Sequence, residues 1–132
     1  MSTGNVRPKK HLGQHFLKDK RIAAAIVEAL HADDCDAVVE VGPGMGVLTH
    51  FLAERNFPSL RVIEIDRESV DYLKQNLAGR VEIIEGDFLD IDMQLFGHRI
   101  AVIGNFPYNI SSQIFFKILD NRDNVTETVG MV

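Results

Sequence analysis

The residues best suited to chemistry fall in four short clusters: Glu40-Val-Gly42-Pro-Gly44-Met-Gly46, Glu64 with Asp66, Gly86-Asp87-Phe88, and Asn105-Phe106-Pro107-Tyr108-Asn109. The last is the most specific. Pro107 fits neither a helix interior nor a central strand, so Phe106 and Tyr108 flank it in a loop. An aromatic turn packed on the core accounts for one aromatic but poorly for the polar Asn105. Asn-x-Pro-Tyr offers acceptor oxygens from the Asn105 side chain and the Pro107 carbonyl, with an aromatic face alongside. That combination suits an amino-substituted base held flat while its amine nitrogen becomes nucleophilic.

Three glycines at alternate positions, 42, 44 and 46, let the backbone approach a ligand closely, and a helix opening at Met45 would turn its free N–H groups toward it. A tight strand-to-helix turn would use the same residues. The dinucleotide fingerprint GxGxxG is disfavoured, because its third glycine falls on Val47 and Pro43 stiffens the turn. Glu64 follows Gly42 by 22 residues. An acidic side chain there accepts hydrogen bonds from both ribose hydroxyls of an adenosine moiety, since a carboxylate offers two oxygens to a vicinal diol. A solvated strand end is the alternative, but Val62, Ile63 and Ile65 around it favour a functional Glu64. Asp66 reads as a helix N-cap. Asp87 is suited to accept from the exocyclic amine of an adenine, with Phe88 as an apolar wall; alone, Gly-Asp would be merely a turn.

Elements must bring these clusters together. Five aliphatic or β-branched runs, 37–41, 60–65, 81–85, 99–104 and 126–132, read as buried strands. Helical segments are expected at 45–55, 68–77 and 112–121, with an irregular stretch at 88–97. A first helix at 20–31 has Asp19 as N-cap and Ile22, Ile26, Ala29 and Leu30 on one face. Alternation of this kind predicts an α/β fold with a parallel, doubly wound sheet covered on both faces by right-handed crossovers. Each cluster directly follows a strand, where open α/β sheets collect their ligands.

The 132 residues suit one domain, and 45% hydrophobic with 25% charged residues matches a globular chain. No apolar run approaches membrane-spanning length and the basic N-terminus lacks a signal-peptide core, so a cytoplasmic protein without a membrane partner is expected. Cys35, the single cysteine, allows neither an internal disulfide nor a cysteine metal cluster. The net charge of -5 hides an asymmetry: residues 1–21 hold six basic side chains against Asp19, and the remainder holds 8 basic and 18 acidic. A basic arm over 1–18 on an acidic body over 19–132 suits phosphate contact through Lys9 and Lys10, or equally an ordinary solvated terminus.

These residues resemble one family closely, the small-subunit ribosomal RNA adenine-N6,N6-dimethyltransferases, or KsgA family, among the Rossmann-like methyltransferases. The resemblance runs through Lys9-Lys10-His-Leu-Gly-Gln14-His15-Phe-Leu17, Glu40 to Thr49, Ile63-Glu-Ile-Asp66, Glu85-Gly-Asp-Phe-Leu89 and Asn105 to Ser111. It implies S-adenosyl-L-methionine as cofactor, with His15 and Leu17 bordering it, Gly42 and Gly44 near its methionine part, Glu64 on the ribose, and Asp87 and Phe88 on the adenine. Asn105 would lie between cofactor and substrate, with Asn105 and the Pro107 carbonyl drawing on the target amine, Tyr108 stacking on the base, and no metal taking part. His15 departs from the Asn common in bacterial members. The implied reaction methylates N6 of two adjacent adenosines in small-subunit ribosomal RNA, on the RNA or the pre-ribosomal particle. Related large-subunit enzymes of the antibiotic-resistance type share Asn-x-Pro-Tyr, and a noncatalytic ribosome-assembly module would keep the fold. Family members continue beyond the fifth strand, so the resemblance also implies an N-terminal part whose fifth strand forms an exposed, self-associating edge.

Overall fold

The structure, a computed structural model, describes residues 19–107 and 109–131. Lys9, Lys10, His15, Leu17 and Tyr108 lie outside them. Elements run α1 (Lys20–Glu28), β1 (Ala37–Val41), α2 (Val47–Ala53), β2 (Leu60–Glu64), α3 (Arg67–Leu77), β3 (Glu82–Glu85), two 3-10 turns (Phe88–Asp90 and Met93–Phe96), β4 (Ile100–Asn105), α4 (Ser111–Asp120) and β5 (Val125–Met131). All strand pairs are parallel, in the order β3-β2-β1-β4-β5. The order reverses direction at β1 and β4, so the loops leaving those strands part to opposite sides and open a crevice. Among the described residues, no helix is long and apolar enough to cross a membrane.

β1 and β4 are buried throughout, as expected of central parallel strands packed on both faces. Side chains alternate across the sheet. Ala37, Val39 and Val41 meet Phe88, Met93, Phe96 and Ile114 on one side. Val38, Ala101 and Ile103 meet Ala23, Val27, Leu48 and Leu52 of α1 and α2 on the other. Val62, in register with Glu40, packs on Leu73 and Leu77 of α3.

Three expectations need correction, the first being that the runs at 81–85 and 126–132, read as buried, form the two edge strands β3 and β5 and are only partly buried. The buried residues of α1 are Ala23 and Val27, whereas Ile22 is 44% exposed. Small Ala23 lets α1 approach α2 closely, and packing distance overrides the aliphatic periodicity. The helix also stops at Glu28 and not at His31, because a distant side chain takes the chain over. The Glu127 carboxylate on β5 accepts from the His31 and Ala32 amides at 2.7 and 2.6 Å, and Ala32 has a φ of 55°.

Candidate functional site

The loop between β1 and α2 is held by carboxylates. Glu64 at the tip of β2 accepts from the Gly44 amide at 2.8 Å and from the Asp66 amide at 2.9 Å, one with each oxygen. Burial pushes its carboxyl above the usual range, against those amides, which favour the charge. Asp66 caps α3 as expected, accepting from the Ser69 amide at 3.0 Å. The helix expected from Met45 begins at Val47, after Gly46 with a φ of 84°. A Cβ on Gly46 would lie 3.0 Å from Leu73, so the turn is pressed onto α3. Gly42 has a φ of 67°, and a Cβ there would meet nothing within 4 Å. That empty space is the cavity.

Beneath this loop Glu40 is buried in the middle of the sheet, accepting from the Thr49 hydroxyl at 2.5 Å. Burial pushes its carboxyl up to about 8, with the charge of Glu64 adding to the shift against the Thr49 hydrogen bond. Near neutrality Glu40 is therefore protonated, and the two buried carboxyls do not both carry charge at full strength.

The opposite wall is set by packing. Asn105 ends β4 and is buried, and Phe106 after it is 1% exposed. The Phe106 ring occupies space that only glycines leave: a Cβ on Gly104 would come within 2.9 Å of it and one on Gly130 within 2.2 Å. Phe115 of α4 closes the seat edge-on at 5.5 Å. Pro107 follows, and its carbonyl accepts from the Ile110 amide at 3.1 Å, opening α4. One acceptor site of that carbonyl is thus used by the fold, and a carbonyl oxygen has two.

Between the walls lies a cavity of about 530 Å³, counting the part open to solvent. It brings together Gly42, Glu64, Asp87, Phe88, Asn105 and Pro107. Gly44 does not line it but supports it through Glu64. Asp87 also accepts from the Leu89 amide at 2.9 Å, capping the 3-10 turn that carries Phe88.

Ile65, Leu89, Ile110 and Ile114 also line the cavity and were not singled out in the sequence. Ile65, 62% exposed beside a buried carboxylate, gave no periodic signal. Glu40, by contrast, stands as a charge inside an aliphatic run and heads the first of the four clusters, without a role assigned to it there.

The acceptor set suits an adenosine-bearing ligand: carboxylate and amide oxygens for hydroxyl and amine hydrogens, with apolar side chains for a flat ring. Residues 5–132 match the family described as ribosomal RNA adenine dimethylase. A relative from Parabacteroides distasonis, "Ribosomal RNA small subunit methyltransferase A", is 55% identical over 96% of this chain and 48% of its own length. Among solved structures, the 23S rRNA methyltransferase ErmE matches with a TM-score of 0.74 at 30% identity, covering 86% of this chain and 46% of that one. A dimethyladenosine transferase from Plasmodium falciparum matches with a TM-score of 0.63 at 28% identity, over 80% and 38% of the two chains. The chain spans about half the length of the curated relatives it matches. On the length of the match and the identity to its relatives alike, the chain belongs to the ribosomal RNA adenine dimethylase family.

Proposed function

We propose that this chain provides the cofactor-binding and catalytic part of an S-adenosyl-L-methionine-dependent enzyme that methylates N6 of two adjacent adenosines in small-subunit ribosomal RNA. One observation carries the reading: Glu64, Asp87 with Phe88, and Asn105, at or just beyond the ends of three different strands, converge on one cavity. When bound, the cofactor supplies an electrophilic methyl group. Glu64 accepts from its ribose hydroxyls through the acceptor sites its two amide bonds leave over. Asp87 accepts from its adenine amine, and Phe88 with Ile65 walls the ring.

The target amine is conjugated with its base and barely basic, so it needs orientation more than a strong base. Asn105 and the Pro107 carbonyl accept its hydrogens and turn the nitrogen lone pair out of the ring plane, while Tyr108 stacks on the base. Catalysis then rests on positioning and fixed dipoles. His15 and Leu17 are proposed to border the cofactor, and Lys9 and Lys10 to meet RNA phosphates. An enzyme acting on assembling ribosomes works in the cytoplasm. The outer side of β5 is proposed as a pairing edge for a second copy, which sedimentation at several concentrations tests.

The small-subunit target is supported by the relative at 55% identity, against 30% for the 23S enzyme. Transfer of labelled methyl groups to undermethylated small subunits, by this chain and by one extended to its relatives' length, tests the proposal. Label should appear on small-subunit RNA and fall at least about a hundredfold in Asn105→Ala. Label on naked large-subunit RNA alone would favour the antibiotic-resistance type, and none with the extended chain would favour an assembly module.

A further inference from the structure

Lys117 sits on α4 one turn beyond Ile114 and does not line the cavity. Its ammonium reaches across to the 3-10 turn after β3. Nζ donates to the Phe88 carbonyl at 2.5 Å and to the Ile91 carbonyl, and stands 5.0 Å from the centroid of the Phe88 ring. Partial burial holds the ammonium below the ordinary lysine range, against the pull of Asp90, Asp87 and Asp92. Ile110, Ile114 and Ile118 of the α4 region pack on the same core as Phe88, Leu89 and Ile91. Amid this apolar stripe, a leucine or methionine would pack as well. The lysine instead brings a partly buried charge, two of whose three donors go to main-chain carbonyls.

The turn it grips has three residues, Phe88–Asp90, with Asp87 as its cap. β3 before it is an edge strand with exposed ends. The buried Phe88 ring and the Asp87 cap seat the side chains of this turn, Lys117 adds bonds to its main chain from a second element, and the turn carries the acidic and aromatic side chains that face the cavity. α4 grows directly from the Asn105–Pro107 loop, so the lysine also ties that wall to this turn.

We propose that Lys117 is a positioning residue for cofactor recognition: from α4 it fixes the main chain of Phe88 and Ile91, and thereby sets Asp87 and Phe88 against the adenine without touching it. The inference rests on the cofactor reading above. It predicts that base selectivity, and not merely stability, depends on Lys117.

The test is calorimetric titration with S-adenosylhomocysteine and with S-inosylhomocysteine, in which oxygen replaces the adenine amine. The unaltered chain should prefer the adenine compound. Lys117→Met, which keeps the packing and loses the donors, should shrink that preference at least about fivefold. Lys117→Arg, which keeps charge and donors, should hold it within about twofold. Should the Met variant fail to fold by circular dichroism, Lys117→Gln takes its place with the same expectation. A variant that weakens both compounds by the same factor, or changes neither, overturns the role of Lys117 alone. An unaltered chain that binds neither compound overturns the cofactor reading, and one that binds both equally overturns Asp87 as the adenine acceptor and Lys117 with it.

Discussion

The two walls of the cavity are built by different physics. The wall formed by the glycine loop and Glu64 is held by hydrogen bonds between neighbouring strand ends: Glu64 to Gly44 and Asp66, and Glu40 to Thr49 behind them. The wall formed by Asn105 to Pro107 is held by shape, a phenylalanine ring seated over Gly104 and Gly130 and closed by Phe115. The polar wall is sensitive to protonation and, away from Gly46, leans less on close packing. The packed wall is the reverse. In the proposed function, where the site binds a cofactor and then admits a base, this division lets either side be perturbed alone.

The largest expected effect concerns the polar wall. Glu40 is neutral in the unfolded chain only below its ordinary value near 4.5, yet stays neutral in the folded chain up to about 8. The folded state therefore binds more protons between those values, and stability from this group is full at low pH and lost as pH rises through about 8. Unfolding by denaturant should show a loss on the order of 3 kcal/mol between pH 5 and 8 that is absent in Glu40→Gln. Parallel curves for the two proteins would remove Glu40 from the wall's energetics.

The packed wall answers to volume. Gly130→Ala would put a Cβ 2.2 Å from the Phe106 ring, and overpacking of this kind costs about 1–3 kcal/mol, at the upper end when backbone is involved. Methyl transfer should fall more than S-adenosylhomocysteine binding, because Asn105 moves with Phe106 and Glu64 does not. Adding Phe106→Leu should restore part of the stability. Equal losses in binding and transfer would mean that the walls are not separable.

These walls were not equally legible in the sequence. Glycines and an acidic residue after consecutive hydrophobic runs act through local backbone geometry, so Gly42, Glu64 and Asp87 could be placed from spacing, as could the sheet. The helix boundary at Glu28 depends on Glu127 and the seat of Phe106 on Gly130. No local pattern announces a partner far along the chain, or a ring seated on the absence of a side chain. The hold of Lys117 on Phe88 is hidden for the same reason.

A smaller effect separates the acidic body from its basic arm. Replacing Lys9 and Lys10 by neutral residues should flatten the salt dependence of RNA binding by roughly 0.7–0.9 in log–log slope for each phosphate no longer neutralised. Cofactor affinity should stay the same. An unchanged slope would make the arm a solvated terminus.

In the proposed site Glu64 holds the cofactor's ribose while Asp66, two residues on, only caps a helix. Calorimetric titration of S-adenosylhomocysteine into the chain, Glu64→Ala and Asp66→Ala tests it most directly. Glu64→Ala should lose on the order of 1–3 kcal/mol of binding, and Asp66→Ala should lose stability with little change in affinity. Unchanged affinity in Glu64→Ala, or an equal loss in Asp66→Ala, would contradict the assignment of the ribose to this carboxylate.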